Sequence, residues 1–259
     1  MNNKEEILGR VINGLNGAQF ESDLSEWITS NVRFDNLVIL AYFQDRAPKL
    51  LYSQAQLPVF LEHFESVYLS GAYLLDPYHE LHTKKSPQGL YRLNDIAPDQ
   101  FNRNRYFREY YERTTMVDEI AFVAYPAEGV SVHVCLGRDL SSRQRFTNRE
   151  ISTAKTIAPI ICALSQRHWA DLNSTGTFDE SLIVKKLIQK SQEQHQIKLS
   201  PRQAQVALMI LQGHSSVSIG LKLEISPQTV KVFRKQLYKR CEISSQAELF
   251  TLMMPLLSG

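Results

Sequence analysis

The sequence is poor in the residues that mark secreted, membrane-spanning and disulfide-rich proteins. It has three cysteines in 259 residues, Cys135, Cys162 and Cys241, and they are widely spaced. This excludes a disulfide-stabilised scaffold and predicts buried free thiols in a reducing compartment. No window approaches about 18 uninterrupted apolar residues, and the first residues are charged where a secretory signal would be apolar. We therefore expect a cytoplasmic protein with no membrane segment.

Motifs of several enzyme and signalling classes are also missing. The chain has no glycine-rich phosphate-binding loop and no paired-carboxylate motif. Phosphorylation of a receiver domain needs an acidic pair after the first strand, and the only acid near that position is Asp45, in a predicted turn. His79 and His82 lack a third metal ligand, and a thiol next to His133 in a strand is usually buried and inert. We expect no catalytic residue, no metal, no cofactor and no enzyme activity.

Charge is distributed unevenly, although the net charge is only +2. From Lys198 onward there are eight Lys or Arg against three Asp or Glu, whereas the remainder has 21 against 24. A basic C-terminal segment is what binding to nucleic acid requires. The length fits two domains, one of ordinary size and one small.

Hydrophobic periodicity predicts an α+β fold for the first part of the chain and an all-α fold for the second. Two amphipathic helices are expected over residues 4–31, and further helices over 58–68 and 100–113. Short strands are expected at residues 36–43, 50–53, 89–93, 120–125 and 131–136, and their tight turns indicate an antiparallel sheet. Thr147 is expected to cap a helix that runs to about His168. The apolar second half of that helix, from Ile160 to Leu164, indicates a partner helix.

The C-terminal part contains a helix with one apolar and one basic face, from Ser226 to Arg240. Ser226 is a good N-cap and Pro227 suits the first helical position. Val230, Leu237 and Cys241 fall in one narrow arc of the helical wheel. The opposite side carries Gln228, Lys231, Val232, Lys235 and Lys239. A short helix over 216–223 and a tight turn precede it, which predicts a helix-turn-helix whose second helix enters the major groove of DNA.

Five segments resemble the successive signatures of the LuxR-type helix-turn-helix domain. They are Leu199-Ser-Pro-Arg-Gln, Gly213-His-Ser, Ile219, Ile225-Ser-Pro-Gln-Thr-Val-Lys-Val and Ser244-Ser-Gln-Ala-Glu-Leu. The resemblance covers about the last 60 residues and is specific, because many motifs occur in order at the family's spacing. Departures are Phe233 at a position that is usually His, Gln203 at one that is usually Glu, and Arg240-Cys241-Glu242 where Lys-Leu-Gly usually closes the helix.

This resemblance implies which residues contact DNA. Lys231, Val232 and Lys235 are expected to face base edges, and Thr229 with neighbouring basic residues to touch phosphates. Ser216 and Ser245 begin helices whose N–H groups and hydroxyls can hold phosphate. The predicted DNA-binding residues are Ser216, Ser226, Gln228, Thr229, Lys231, Val232, Lys235, Lys239 and Ser245.

In the N-terminal part, the order of helices and strands is similar to the ligand-binding domains of the quorum-sensing members of the family. Those domains are like PAS or GAF folds, which implies an α-β-α sandwich with an antiparallel sheet. Asp76-Pro77, downstream of Tyr68 and Tyr73, resembles their pocket motif, in which an aspartate accepts a hydrogen bond from the signal's amide. The tryptophan expected before this motif is replaced by His63 or Phe64.

Composition around this motif predicts a different ligand from an acyl-homoserine lactone. Aromatic rings lie close in sequence to carboxylates, and aromatic faces with an acid can hold a desolvated ammonium group. The candidate ligand-binding residues are Tyr73, Asp76, Tyr78, Tyr91, Tyr106, Tyr110, Asp118 and Glu119. An amine-bearing metabolite is therefore our hypothesis. The alternatives are a tyrosine-rich core with surface acids, a lactone ligand, and an N-terminal domain that binds a protein partner or keeps a catalytic site.

Together these patterns predict a ligand-responsive transcription factor that binds double-stranded DNA as a homodimer at an inverted repeat. We expect a ligand-sensing and dimerisation domain over residues 1–171 and a linker with a connecting helix over 172–197. The DNA-binding domain is expected over 198–259. The helix between Thr147 and His168 is the candidate dimer contact, and no membrane partner is expected.

Overall fold

The computed structural model describes residues 4–175 and 180–257, apart from the side chains at 63, 65, 109, 110, 112, 180 and 181. Part of the predicted linker, residues 176–179, lies outside this range. The chain divides into two compact units. The first comprises Met1–Leu61, Leu81–Asp95 and Thr115–Phe178, and the second comprises Glu62–Glu80, Ile96–Thr114 and Asp179–Gly259. Within the described residues, no helix is both long and apolar enough to cross a membrane.

The five strands occur in the predicted order, and the helices include two short ones, α4 and α5, for which no bounds were predicted. The helices are α1 (Lys4–Asn13), α2 (Phe20–Asn31), α3 (Pro58–His63), α4 (Pro77–Thr83), α5 (Leu93–Ile96), α6 (Asn148–His168), α7 (Glu180–His195), α8 (Pro201–Gln212), α9 (Ser216–Leu223), α10 (Pro227–Arg240) and α11 (Gln246–Leu257). The strands are β1 (Asn36–Phe43), β2 (Lys49–Ala55), β3 (Gly89–Arg92), β4 (Met116–Ala127) and β5 (Val130–Asp139).

A five-stranded antiparallel sheet in the order β2-β1-β5-β4-β3 forms the centre of the first unit. The predicted antiparallel sheet is confirmed. β1 and β5 are buried along their whole length, as central strands of a covered sheet must be. β4 is longer than predicted at both ends. At its start the polar residues Asp118 and Glu119 continue the ladder to β5, and at its end Ala127 pairs with Val130.

One face of this sheet carries the main hydrophobic core with α1, α2 and α6. Side chains at alternate positions of β1 and β5, such as Leu37, Ile39, Val132 and Val134, belong to this core. α6 contributes Ile151, Ala154, Ile157 and Ile161, among others. The spacing of three and four residues places these side chains on one face of the helix, and the predicted apolar stripe is confirmed.

The start of α6 is set by a reciprocal pair of hydrogen bonds. The Thr147 hydroxyl accepts the N–H of Glu150 at 3.2 Å, and the Glu150 carboxylate accepts the N–H of Thr147 at 2.9 Å. This capping box satisfies two N–H groups that the helix itself cannot pair. The predicted cap at Thr147 is confirmed.

Two predicted helices are interrupted. The expected helix over 58–68 consists of α3 followed by a π-helical turn, Phe64–Tyr68. The expected helix over 100–113 is wrong as a single element, since a 3-10 turn, Phe101–Arg103, and a π-helical segment, Phe107–Glu112, take its place. Asn104 separates them with an extended backbone, and its side-chain oxygen accepts the N–H of Phe107 at 2.7 Å. This local hydrogen bond competes with continuation of the helix.

The three cysteines are free and buried, as predicted. Burial raises the pKa of Cys162 and of Cys241 to about 11, so both thiols are protonated at neutral pH.

In the second unit, α8 to α11 make the C-terminal part of the chain helical, as predicted. α8 begins with Ser200 as N-cap and Pro201 in its first turn, and it ends at Gly213, whose φ of 96° is accessible to glycine. α9 and α10 are joined by a turn in which Glu224 has a left-handed backbone. The N–H of Ile225 donates to the carbonyl of Gly220 at 3.0 Å. A Cβ atom at Gly220 would lie 2.8 Å from the Ile225 carbonyl oxygen.

Gly220→Ala should destabilise the second unit by about 1–3 kcal/mol, because the new methyl group forces the α9–α10 turn apart. Thermal and denaturant unfolding would measure the loss. The matched control is Gly9→Ala in α1, where a Cβ atom meets nothing within 4 Å. That variant should gain about 0.5–1 kcal/mol from helix propensity, and equal stability of the two variants would contradict the tight approach at Gly220.

Candidate nucleic-acid interface

Helix α10 begins at a well-formed cap. The Ser226 hydroxyl accepts the N–H of Thr229 at 3.0 Å, and the two hydroxyl oxygens lie 2.7 Å apart. Pro227 occupies the first turn, where a missing N–H costs nothing. Both hydroxyls are exposed, so the cap stabilises the helix and leaves the polar groups of Ser226 and Thr229 accessible.

The two faces of α10 differ sharply in exposure. Val230 and Leu237 are fully buried and Cys241 is nearly so, which confirms the predicted packing face. The predicted outward residues are exposed: Gln228, Lys231, Val232, Lys235 and Lys239. Val232 is 48% exposed even though it is apolar. A helix with three lysines and a valine on its open face, and no acid anywhere in it, fits the phosphate-lined major groove.

Two arginines of α10 have partners within the unit. Arg240 donates to the carbonyl of Lys198 at 2.6 Å and to the amide oxygen of Gln203 at 3.1 Å. Arg234 lies over the Tyr238 ring, 5.3 Å from its centroid, and donates to the Tyr238 hydroxyl at 3.2 Å. Arg234 therefore has a tyrosine of its own helix as its partner.

Gln203 and Arg240, two of the departures from the family pattern, thus contact each other. Gln203 also closes the capping box of α8, since its side-chain oxygen accepts the N–H of Ser200 at 3.0 Å. Each residue therefore has a structural role in holding α8 and α10 together.

The remaining predicted phosphate contacts lie at helix starts. Ser216 is the first residue of α9, next to the N-cap Ser215, whose hydroxyl accepts the N–H of Ser218 at 3.2 Å. The Ser245 hydroxyl accepts the N–H of Glu248 at 3.2 Å and donates to the Glu248 carboxylate at 2.7 Å. Contact of these serines with phosphate stays a prediction.

Five of the predicted ligand residues belong to the second unit. Among them, Asp76 is buried, and its carboxylate accepts the Tyr68 hydroxyl at 2.5 Å and the N–H of Tyr78 at 2.9 Å. Burial raises the pKa of Asp76 to about 6, although both hydrogen bonds favour the ionised form. The Tyr73 ring lies 6.4 Å from the Tyr68 ring and edge-on to His79. Tyr73 and Asp76 therefore share Tyr68 as a neighbour.

Tyr106 lies in a different cluster of that unit. Its ring centroid is 6.0 Å from both Phe101 and Tyr111, and it is buried. The side chain of Tyr110, another candidate, lies outside the described part of the chain. These rings pack on one another, as in the tyrosine-rich core that we named as an alternative.

Tyr91, Asp118 and Glu119 belong to the first unit. The Asp118 carboxylate accepts the N–H of Phe146 at 3.0 Å and that of Glu119 at 3.1 Å, so it holds the segment that leads into α6. The Tyr91 hydroxyl donates to the carbonyl of Pro87 at 2.6 Å. Binding of a ligand by any of the eight candidates stays a prediction.

A buried polar cluster that sequence reasoning missed lies on the sheet face opposite the main core. The Ser131 hydroxyl lies 2.7 Å from Nδ1 of His82 and 3.0 Å from Nε2 of His133, and the Tyr42 ring packs on both histidines. Burial lowers the pKa of His82 to about 4, so this imidazole is neutral at pH 7. The alternation of Ser131 and His133 with valines in β5 was the available signal.

His82 also lines a cavity of about 370 Å³ in the first unit. Tyr125, Ala127 and Val130 form apolar parts of its wall, and Lys85 and Glu128 bring opposite charges to it. The Tyr125 hydroxyl donates to the carbonyl of Ser86 at 2.6 Å, which fixes the loop before β3. A space of this volume fits a small metabolite.

Comparison with known proteins agrees with these features. Residues 198–253 match the family described as bacterial regulatory proteins, luxR family. A protein of Aeromonas salmonicida designated an HTH-type transcriptional regulator in the exeN 3' region is 26% identical over 184 residues, which covers 69% of this chain and 93% of the relative. The response regulator GacA of Pseudomonas aeruginosa is 43% identical over 51 residues, 20% of this chain and 24% of that protein.

Among solved structures, the VqsR LBD domain from Pseudomonas aeruginosa aligns with a TM-score of 0.55 and 20% identity. The alignment covers 65% of this chain and 98% of that domain, and it supports the predicted α+β fold. The cap, the packed face and the open basic face of α10 lie within the segment that matches the family. The chain therefore carries, at residues 198–253, the helix-turn-helix DNA-binding domain of the luxR family of bacterial transcriptional regulators.

Proposed function

We propose that this protein is a sequence-specific, homodimeric transcriptional regulator that reads an inverted repeat through α10 and responds to a small molecule bound by its N-terminal portion. The observation that carries the proposal is the open face of α10, where Lys231, Val232 and Lys235 are exposed together. A lysine donates to guanine O6 and N7, and a valine methyl contacts the thymine methyl.

Homodimerisation is part of the proposal because one recognition helix reads few base pairs, and two-fold operators match two-fold proteins. α6 offers a candidate surface. Its outward side carries Thr156, Pro159, Ile160 and Ala163, which are small or apolar, and Ile160 is 39% exposed. An exposed branched apolar side chain on a long helix favours contact with a second helix.

Control by a small molecule rests on the fold of the N-terminal portion and on the buried carboxylate of Asp76. A carboxylate whose pKa is raised by burial gains stability when a cationic or N–H-donating ligand reaches it. We propose an amine-bearing metabolite, since tyrosine rings surround the Asp76 segment. A ligand of this kind would act by shifting the population of conformations, without a chemical step.

Lys235→Ala should change base preference at one operator position and cost about 1–3 kcal/mol there, because one base-edge contact is lost. Selection from a random duplex library with the unmodified protein supplies the operator, and affinities for its single-base variants measure the change. Lys49→Ala, an exposed lysine of β2, is the control and should leave the preference unchanged. Equal weakening on every sequence would instead make Lys235 a phosphate contact.

Ile160→Glu should convert the dimer into a monomer, because it places a charge on the proposed α6 contact. Sedimentation velocity would measure the change, and affinity for an inverted repeat should fall with it. Lys49→Glu, at an exposed lysine of β2 away from this helix, is the control and should stay dimeric. A dimer that is unchanged by Ile160→Glu would exclude this surface.

Primary amines should raise the melting temperature, by an amount that corresponds to about 2.7 kcal/mol at a ligand concentration 100-fold above Kd. A thermal-shift screen of primary amines and acyl-homoserine lactones would show this. Asp76→Asn should abolish the amine effect, whereas Asp95→Asn, at an exposed acid of α5, should preserve it. Stabilisation by lactones and by no amine would contradict the amine hypothesis.

A further inference from the structure

Two segments that precede the DNA-binding helices by about 100 residues in sequence pack directly on them within the second unit. In the segment Ile96–Thr114, the N–H of Gln100 donates to the carbonyl of Gly213 at 2.9 Å, and the Asn104 amide donates to the carbonyl of Leu211 at 3.2 Å. These bonds satisfy carbonyls at the end of α8, which the helix cannot pair internally.

Gly213 shows how close this contact is. A Cβ atom there would lie 2.7 Å from the Asn104 amide nitrogen and 2.9 Å from the Cα of Phe101. Such distances leave no space for a side chain, so the Phe101 backbone lies directly against the turn between α8 and α9. Two carboxylates of the second unit contact α9, and one of them, Asp99, lies two residues before Phe101 in this packed segment.

The first carboxylate lies at the start of α9, the first helix of the helix-turn-helix. Oδ1 of Asp99 accepts the N–H of Ser215 at 2.9 Å. Burial opposes ionisation of Asp99, but hydrogen bonds from the Ser215 hydroxyl and N–H, and the charge of His214, lower its pKa below the ordinary value. The first helix of a helix-turn-helix crosses the DNA backbone, and N–H groups at a helix start bind phosphate oxygens. Asp99 thus holds a position suited to a phosphate.

The second carboxylate neutralises a lysine of the same helix. Nζ of Lys222, near the end of α9, lies 2.6 Å from Oε1 of Glu80, and the two side chains are 30% and 24% exposed. On the outer surface of the helix-turn-helix, a lysine in this helix would otherwise be available to the DNA backbone. A carboxylate from elsewhere in the same unit therefore contacts each end of α9.

We propose that Asp99 and Glu80 form an internal brake on DNA binding, in which two carboxylates take the place of DNA phosphates at the two ends of α9. The brake rests on the proposed function, since it needs a helix-turn-helix that binds DNA. Binding of DNA requires the Asp99–Ser215 and Glu80–Lys222 contacts to open, so each contact lowers the affinity for any duplex, whatever its sequence.

The position of the brake also connects it to the proposed ligand. Glu80 lies four residues after Asp76, and its N–H donates to the Asp76 carbonyl at 3.3 Å. Asp99 lies in the same segment as Tyr106. A ligand that moves the segments around Asp76 and Tyr106 therefore moves the two braking acids with them, which gives ligand binding a direct route to α9.

The test measures the affinity of a fluorescent duplex of mixed sequence for the full chain and its variants. Asp99→Asn and Glu80→Gln should each tighten binding by about two- to fivefold, the range of one exposed charge contact, and the double variant should bind more tightly than either. Amide hydrogen exchange at Ser215 should also become faster in Asp99→Asn. The matched controls, Asp95→Asn and Glu6→Gln, remove exposed acids elsewhere and should leave the affinity unchanged.

A double-mutant cycle with Lys222 separates the brake from a general charge effect. Lys222→Ala should weaken binding and should cancel the gain from Glu80→Gln, because the freed lysine is then absent. If the unmodified chain binds the duplex and neither Asp99→Asn nor Glu80→Gln binds it more tightly, the brake is wrong and the proposed function stands. Failure of the unmodified chain and of every variant to bind duplex would overturn both.

Discussion

The orientation of α10 depends on the close approach of two backbones at Gly220. With no side chain at that position, the carbonyl of Ile225 comes within contact distance of α9, and the turn through Glu224 can close. Val230 and Leu237 are then buried against the rest of the helical unit. Because a packed face takes only one arc of a helix, the lysines and Val232 remain outside. The basic open face is thus a consequence of how α9 and α10 meet.

Asp76 presents the opposite situation, a polar group that the fold has buried. An ionised carboxylate loses its hydration there, and two hydrogen bonds from Tyr68 and Tyr78 return part of that energy. The pKa of about 6 lies above the ordinary value for Asp, because the two hydrogen bonds do not offset the whole cost of desolvation. Each carboxylate oxygen has a further lone pair, so an N–H donor or a cation that reaches Asp76 stabilises its charged form. Both the amine and the lactone amide have that chemistry, and the charge of the ammonium group gives it the larger gain.

How well the sequence predicts each part of this structure depends on how far apart in sequence the interacting residues are. Ser226 and Thr147 are caps whose partners lie three residues away, and sequence predicted both helix starts. The helix expected over 100–113 failed because Asn104 pairs with Phe107 and with the distant Leu211, and only the first of these is local. The contact between His82 and Ser131 spans 49 residues, and the alternation in β5 does not indicate which distant residue pairs with Ser131. Polar contacts between residues so far apart in sequence can be identified only in the folded structure.

The uneven charge of the chain gives the Asp99–Ser215 and Glu80–Lys222 contacts a common physical origin. The basic C-terminal segment and the acidic remainder belong to one chain, and the N–H groups and lysines of that segment attract carboxylates of their own unit when DNA is absent. An exposed charge contact contributes about 0–1 kcal/mol, which is too little to hold against a duplex that offers several phosphates at once. Weak internal pairs at both ends of α9 therefore lower affinity without abolishing it. A regulator that must release and rebind DNA needs contacts of this strength. A strong buried ion pair in the same place would keep α9 bound to the internal carboxylates and unavailable to DNA.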